Sequence, residues 1–133
     1  MIEPLTILAA GVAAWLAGAV WYGLLGSKWL AALGTTRAAL ARPKGLPSAV
    51  PFILVLVADV VLAWVLALVL HATFSAGIGN AVAWAMVLWM GFVLTTIAGN
   101  YTFARRQPML TLIDSGHWLL AMIAAAVVLG LLG

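Results

Sequence analysis

Cysteine is absent from this sequence, and charged residues are scarce. The lack of cysteine excludes disulfides, zinc–thiolate sites, iron–sulfur clusters and thiol catalysis. Only 7% of the 133 residues are charged, whereas a typical soluble domain has about a quarter. Because so little polar surface is available to cover a water-soluble globule, we expect the chain to lie in a lipid bilayer.

Basic residues are also too few for a nucleic-acid-binding surface. The net charge is +3, but six Lys and Arg residues form no basic stripe that could make several phosphate contacts. The sequence shows no catalytic triad, glycine-rich phosphate loop or paired hydrolase carboxylates, and its polar segments are too short to hold one. We therefore expect no nucleic-acid partner, no enzyme and no cofactor.

Apolar residues make up 67% of the chain and are grouped into four runs of about 20 residues, long enough to cross a hydrocarbon core of roughly 30 Å. Backbone polar groups in lipid need internal partners, so such runs are helical. Pro4, Pro51 and Pro108 stand at or near the starts of three runs, where a missing N–H costs little. The sequence predicts an all-α four-helix transmembrane bundle, one domain over 1–133, with helices at about 4–25, 51–71, 81–103 and 109–132.

The first run is interpreted as a retained helix, because the preceding residues carry no Lys or Arg as a signal peptide would. Charge then predicts the orientation, since positively charged loops stay in the cytoplasm. Lys and Arg are confined to the loops at 26–50 and 104–108, so both termini are expected outside the cytoplasm of a plasma (bacterial inner) membrane. Contacts with lipid headgroups are expected for Lys28, Arg37, Arg42, Lys44, Arg105 and Arg106.

The long first loop allows two interpretations. Thr35 or Thr36 is able to cap a short helix through Arg37 and Arg42 that lies on the inner leaflet. The alternative is an irregular linker that ends at proline.

A weak internal duplication relates the second and fourth runs. The series Pro51, Asp59, Trp64 loosely resembles Pro108, Asp114, Trp118. Two hairpins related by a pseudo-two-fold axis along the membrane normal fit this pattern. Chance similarity within the limited alphabet of membrane helices fits it equally well.

Five polar side chains are predicted at similar depth in the cytoplasmic half of the membrane. Intramembrane acids usually face the bundle interior, and a buried polar group without a partner is costly. Asp114 and His117 share one face of the fourth helix because they lie three residues apart. We therefore expect one hydrogen-bonded cluster of Asp59, Asn100, Asp114, His117 and Tyr22.

Three roles for this cluster remain open from the sequence. It fixes the register of the helices, or it conducts protons or ions, or it binds a metal or a ligand. No dense His/Glu motif of the kind found in metal sites is present, so no metal ligands are assigned. Asp114 also has a local interpretation, because it lies near the start of its helix and close to Arg105 and Arg106.

Small residues at four-residue spacing predict faces on which helices approach closely. These faces pack within the bundle or between copies of the chain, and the sequence does not separate the two. The predicted packing positions are Ala14, Gly18, Ala63, Ala67, Gly91, Thr95, Gly99 and Gly116.

Several short motifs resemble a bacterial family known as domain of unknown function 1761. They are Trp21-Tyr22-Gly23, Lys28-Trp29, Gly34, Trp89-x-Gly91-Phe92 and Asp114-x-Gly116. The resemblance implies a small four-helix membrane protein without assigned activity. It also marks family-pattern positions at Trp21, Tyr22, Lys28, Trp29, Asp114 and Gly116.

The sequence thus favours a small integral membrane protein with a packing, accessory or homo-oligomeric role, in the bilayer and with other copies or a larger complex. The alternative is a minimal transporter or channel that uses the intramembrane Asp and His side chains.

Overall fold

The computed structural model describes residues 2–40 and 49–133, and these residues form helices and turns without any strand. The α-helices are α1 (Pro4–Leu33), α2 (Arg37–Leu40), α3 (Val50–Ala72), α4 (Gly77–Leu88), α5 (Thr95–Phe103) and α6 (Pro108–Leu132). A π-helical segment, Trp89–Leu94, joins α4 to α5 without a break. We call the continuous helix Gly77–Phe103 the third span.

Four helices among the described residues are long and apolar enough to cross a membrane. They are α1, α3, the third span and α6, which confirms the predicted all-α four-helix bundle. Proline occupies the first turn of α1, α3 and α6, where the helix needs no N–H donor. The third span starts at Gly77 rather than near 81, because Gly77 adopts a φ of 83° that the preceding turn requires and Gly79 continues the helix.

The first helix is longer than the sequence indicated. We expected a loop from 26, but α1 continues through Lys28 and Trp29 to Leu33. It ends at Gly34, whose φ of 73° permits the left-handed turn and whose N–H bonds to the Ala31 carbonyl. At 1.5 Å per residue, α1 measures roughly 45 Å, which is longer than the roughly 30 Å thickness of a hydrocarbon core.

A short helix follows α1, as the first of the two interpretations of this loop expected. The Thr36 hydroxyl accepts a hydrogen bond from the Ala39 N–H at 3.2 Å and so caps α2. Helix α2 is described from Arg37 to Leu40, and Arg42 and Lys44 lie outside the described residues.

The last helix lies at the centre of the packing. Helix α6 contacts α1 and α4 extensively, and α3 packs mainly on α1. The contact between α3 and α4 is much smaller than that between α1 and α6, although an internal two-fold axis would make the two alike. The bundle is therefore built from two hairpins that meet asymmetrically.

The two ends of the bundle have different chemistry. At the end we call the termini end, Gly130 of α6 packs on Gly77 and Ile78, and residues 2 and 3 lie close by. At the opposite end, which we call the basic end, lie the last turns of α1 and the turn between the third span and α6. All described Lys and Arg residues are exposed there: Lys28, Arg37, Arg105 and Arg106.

Alanine forms most of the core, which lets the helices approach closely. A Cβ atom on Gly11 would lie 2.8 Å from the Val60 Cα, so α1 and α3 are almost in backbone contact there. In lipid, this close packing replaces the hydrophobic effect as the source of helix association. The alanines with at most 1% exposure are Ala10, Ala14, Ala63, Ala81, Ala85, Ala121, Ala125 and Ala126.

Candidate functional site

The most polar contact between helices is centred on Asp114 of α6. The Tyr22 hydroxyl of α1 donates to its Oδ1 at 2.6 Å, and the Tyr101 hydroxyl of α5 donates to its Oδ2 at 2.5 Å. Both distances are short, as expected for hydroxyl donors to a carboxylate. This tyrosine–aspartate group, Tyr22, Tyr101 and Asp114, therefore connects three of the four membrane-crossing helices near the basic end.

Two tryptophans support the tyrosine–aspartate group from either side of α6. The Trp21 indole donates to the Ile113 carbonyl at 2.9 Å, and the Trp89 indole donates to the Ser115 carbonyl at 2.7 Å. These carbonyls belong to the residues before and after Asp114. The tryptophans therefore fix the rotation of α6 at the carboxylate.

Glycine makes room for these aromatic side chains. A Cβ atom on Gly116 would lie 2.6 Å from the Trp21 ring, and one on Gly18 would lie 2.5 Å from His117 Nε2. Neither position tolerates a side chain without movement of its neighbour. Gly18 and Gly116 thus serve the packing of the site itself.

His117 lies one turn deeper on α6 and is almost completely buried. Its ring centroid is 4.8 Å from that of Tyr22 and 4.6 Å from that of Trp118. Its Nδ1 has no hydrogen-bond partner among the described residues. The imidazole therefore contributes aromatic contacts, and its buried Nδ1 makes no hydrogen bond within the described residues.

The structure does not join all five predicted polar residues into one cluster. Asn100 is exposed, so it lies away from α6, whereas Tyr101 beside it reaches Asp114. Depth counted from the helix start does not specify which face a side chain occupies. Tyr101 was not among the predicted residues, although its neighbour Asn100 was.

Asp59 is fully buried but lies elsewhere in the bundle. The adjacent Val60 packs on Gly11 of α1, whereas Asp114 bonds to Tyr22 of the same helix, and these two points are separated by roughly 16 Å along α1. The expected common layer assumed that all helices begin in one plane. Because α3 and α6 are staggered along α1, Asp59 lies nearer the termini end.

The sequence matches the family described as Protein of unknown function (DUF1761) over residues 5–130. The chain belongs to this family. No curated protein and no solved structure matches the chain. The matched range includes all of the tyrosine–aspartate group, both supporting tryptophans and the two glycines that accommodate them.

The predicted packing positions of this DUF1761 protein fall into two sets. Ala14, Gly18, Ala63 and Ala67 are buried, and Gly116 lies under Trp21. In contrast, Gly91, Thr95 and Gly99 of the third span are exposed, and a Cβ atom on either glycine would meet no atom within 4 Å. We call these three residues the third-span face.

A cavity of about 310 Å³ lies at the termini end of this DUF1761 protein. It is bounded by the start of α1, the end of α3, the following turn and the end of α6. Glu3, Thr6, His71 and Ser75 provide polar groups, while Ala67, Leu70 and Leu129 provide apolar walls. The Ser75 hydroxyl also accepts a hydrogen bond from the Trp84 indole at 3.1 Å.

Proposed function

We propose that this DUF1761 protein is a non-catalytic membrane subunit that associates with copies of itself through the third-span face. The observation that carries the proposal is the exposure of Gly91, Thr95 and Gly99 on an otherwise large-residue surface. Small residues at four-residue spacing allow a second helix to approach closely, and this packing drives association in lipid.

The threonine hydroxyls near this face support the proposal because they already donate hydrogen bonds within their own helix. Thr95 donates to the Gly91 carbonyl at 2.7 Å, and Thr96 donates to the Phe92 carbonyl at 2.7 Å. The third-span face therefore offers close packing to its partner without requiring new hydrogen bonds. Its orientation is held by Trp89 and Tyr101, which bind the same helix to α6.

The tyrosine–aspartate group has a structural role in this proposal. Both carboxylate oxygens of Asp114 accept hydrogen bonds from side chains of the same chain. Such interhelical bonds contribute modestly to stability but select one arrangement of helices. A fixed third span is what a reproducible contact between copies requires.

The orientation belongs to the same proposal. We infer that the basic end faces the cytoplasm of a bacterial inner membrane and that both termini face the other side. The support is the concentration of the described Lys and Arg residues at one end, which follows the positive-inside rule. Impermeant thiol reagents applied to His71→Cys, at the termini end, test this orientation in intact cells.

Cysteine cross-linking tests the contact between copies directly, because the natural chain has no thiol. We expect Thr95→Cys to form disulfide-linked dimers in oxidised membranes, since the two third spans approach at this residue. The matched control is Gly23→Cys, an exposed α1 position whose Cβ would also meet no atom within 4 Å. Equal cross-linking of the two variants contradicts the proposed contact.

A bulky residue on the third-span face should prevent association without unfolding the chain. We expect Gly99→Leu to reduce the dimer fraction several-fold, measured by energy transfer between labelled copies over a range of protein-to-lipid ratios. Gly23→Leu serves as the control and should leave this fraction unchanged. A wild-type chain that stays monomeric at every ratio, or a different protein that co-purifies instead of a second copy, counts against self-association.

A minimal transporter is the second candidate, and Asp59 is the observation that favours it. This carboxyl is fully buried and neither of its oxygens has a partner among the described residues. Unpaired intramembrane acids commonly mark ion or proton pathways. Proton flux into liposomes that is lost in Asp59→Asn and retained in Asp114→Asn is expected from this function.

A further inference from the structure

Asp59 is the least satisfied polar side chain in the described parts of the bundle. It has no exposed surface, and no hydrogen-bond partner for Oδ1 or Oδ2 lies within residues 2–40 and 49–133. The part of α1 that packs beside it, around Gly11, is lined by the fully buried Ala10 and Ala14. An ionised carboxylate in such apolar surroundings is very unfavourable unless a proton or a cation neutralises it.

Within residues 2–40 and 49–133, no basic side chain is placed to neutralise Asp59. Helix α1 has no titratable residue between Glu3 and Tyr22, and α4 has none. Helix α6 contributes only Asp114, which is bound by two tyrosines, and His117, whose ring packs on Tyr22 and Trp118. On α3 itself, the other titratable side chain is His71 at the termini end.

The surroundings favour a proton over a metal ion. The described residues include no group of three or more His, Cys, Asp or Glu side chains that could hold a metal. Backbone carbonyls within a helix already accept hydrogen bonds, so they are poor ligands for a metal ion. A proton needs only the carboxyl itself.

One face of α3 leads from the cavity at the termini end to Asp59. Asp59, Ala63, Ala67 and His71 are spaced four residues apart, so they form a single ridge. Ala67 and His71 line the cavity of about 310 Å³ at the termini end. From Ala67 to Asp59 the ridge extends roughly 12 Å, and Ala63 is the small side chain between them.

We propose that Asp59 binds a proton that enters from the termini-end cavity along the alanine ridge of α3. Ala63 is fully buried, so the ridge is closed in this structure and a proton passes when water enters between the alanines. Glu3 and His71 place a carboxyl group and an imidazole at the cavity. The inference deepens the transport candidate, on which it rests, by naming the ligand and its side of entry.

Infrared spectroscopy of the full chain in lipid vesicles detects the proton directly. A protonated carboxyl gives a C=O stretching band distinct from that of a carboxylate, and we expect one such band to change with pH. It should be absent from Asp59→Asn and retained in Asp114→Asn. A spectrum without a band specific to Asp59 at any pH, from protein with wild-type helicity, overturns the proposal.

The side of entry is tested with vesicles that hold the protein in one orientation. A pH jump at the termini end should change the Asp59 band much faster than an equal jump at the basic end. Ala76 also lines the cavity, and attachment of a bulky thiol reagent to Ala76→Cys should slow this response several-fold, while the unmodified variant behaves as wild type. A response that follows the basic end, or ignores the modification, overturns the proposed route.

A comparison of sodium and potassium salts distinguishes a bound proton from a bound sodium ion. If addition of sodium chloride, but not potassium chloride, abolishes the Asp59 band at fixed pH, the site binds sodium and the proton assignment is wrong. A band with the same pH dependence in both salts supports the proton assignment. Vesicles that show the Asp59 band but no proton flux refute the transport function and leave proton binding at Asp59 intact. Failure of transport is therefore distinguishable from failure of proton binding.

Discussion

Replacing Asp114 by alanine is expected to lower the free energy of unfolding by about 2–3 kcal/mol, because two hydroxyl donors lose a carboxylate acceptor. Tyr22 and Tyr101 are half-buried, so water compensates for only part of this loss. The third span should also become mobile relative to α1 and α6, since Asp114 connects all three. Reversible unfolding in mixed micelles measures the free energy.

The conservative variant Asp114→Asn is the matched control, since its amide keeps one oxygen acceptor in nearly the same volume. We expect it to lose less stability than the alanine variant. Tyr22→Phe and Tyr101→Phe should each cost about 1 kcal/mol, and a double-mutant cycle with Asp114 should give coupling for both. Additive losses in both cycles show that the observed hydrogen bonds do not contribute to stability.

A single methyl group at Gly11 is expected to lower the free energy of unfolding by about 1–3 kcal/mol, which is typical of an overpacked core. The Cβ atom of Gly11→Ala would lie 2.6 Å from a Val60 methyl and 2.8 Å from its Cα. A backbone atom cannot rotate away as a side chain can. The helices α1 and α3 must therefore separate, which weakens their packing along the alanine core.

Replacing Gly23 by alanine should have the opposite effect on the free energy of unfolding. No atom lies within 4 Å of a Cβ atom there, and alanine is favoured over glycine in a helix by about 0.5–1 kcal/mol. Gly23→Ala is therefore expected to raise the free energy of unfolding in the same micelles. If Gly11→Ala and Gly23→Ala have equal effects, close contact between α1 and α3 does not limit stability.

Hydrophobic length was enough to predict the four helices, since lipid leaves the backbone few alternatives. The bounds of α3 and α6 lie within a residue of those predicted. The end of α1 was missed because Ser27 and Lys28 were interpreted as loop residues. A lysine at the end of an apolar helix extends its charge towards water while its backbone remains helical.

The site was predicted incompletely because sequence gives the depth of a residue more reliably than its face. Tyr22, Asp114 and His117 were among the predicted residues, and they do lie together. The prediction included Asn100 but not Tyr101, because it used depth alone. The neighbouring residues occupy different faces of α5, so Tyr101 contacts Asp114 while Asn100 is exposed.

The π-helical segment explains how the third span reaches α6 at two distant points. Trp89 and Tyr101 are twelve residues apart, which in an uninterrupted α-helix places them roughly 120° apart around the axis. One extra residue taken up by a π turn reduces this angle to roughly 20°. The π-helical segment Trp89–Leu94 thus brings Trp89 and Tyr101 onto nearly the same face of the third span. Deleting one residue within it would regularise the helix while leaving Tyr101 roughly 20° from Trp89, so both contacts with α6 should be retained.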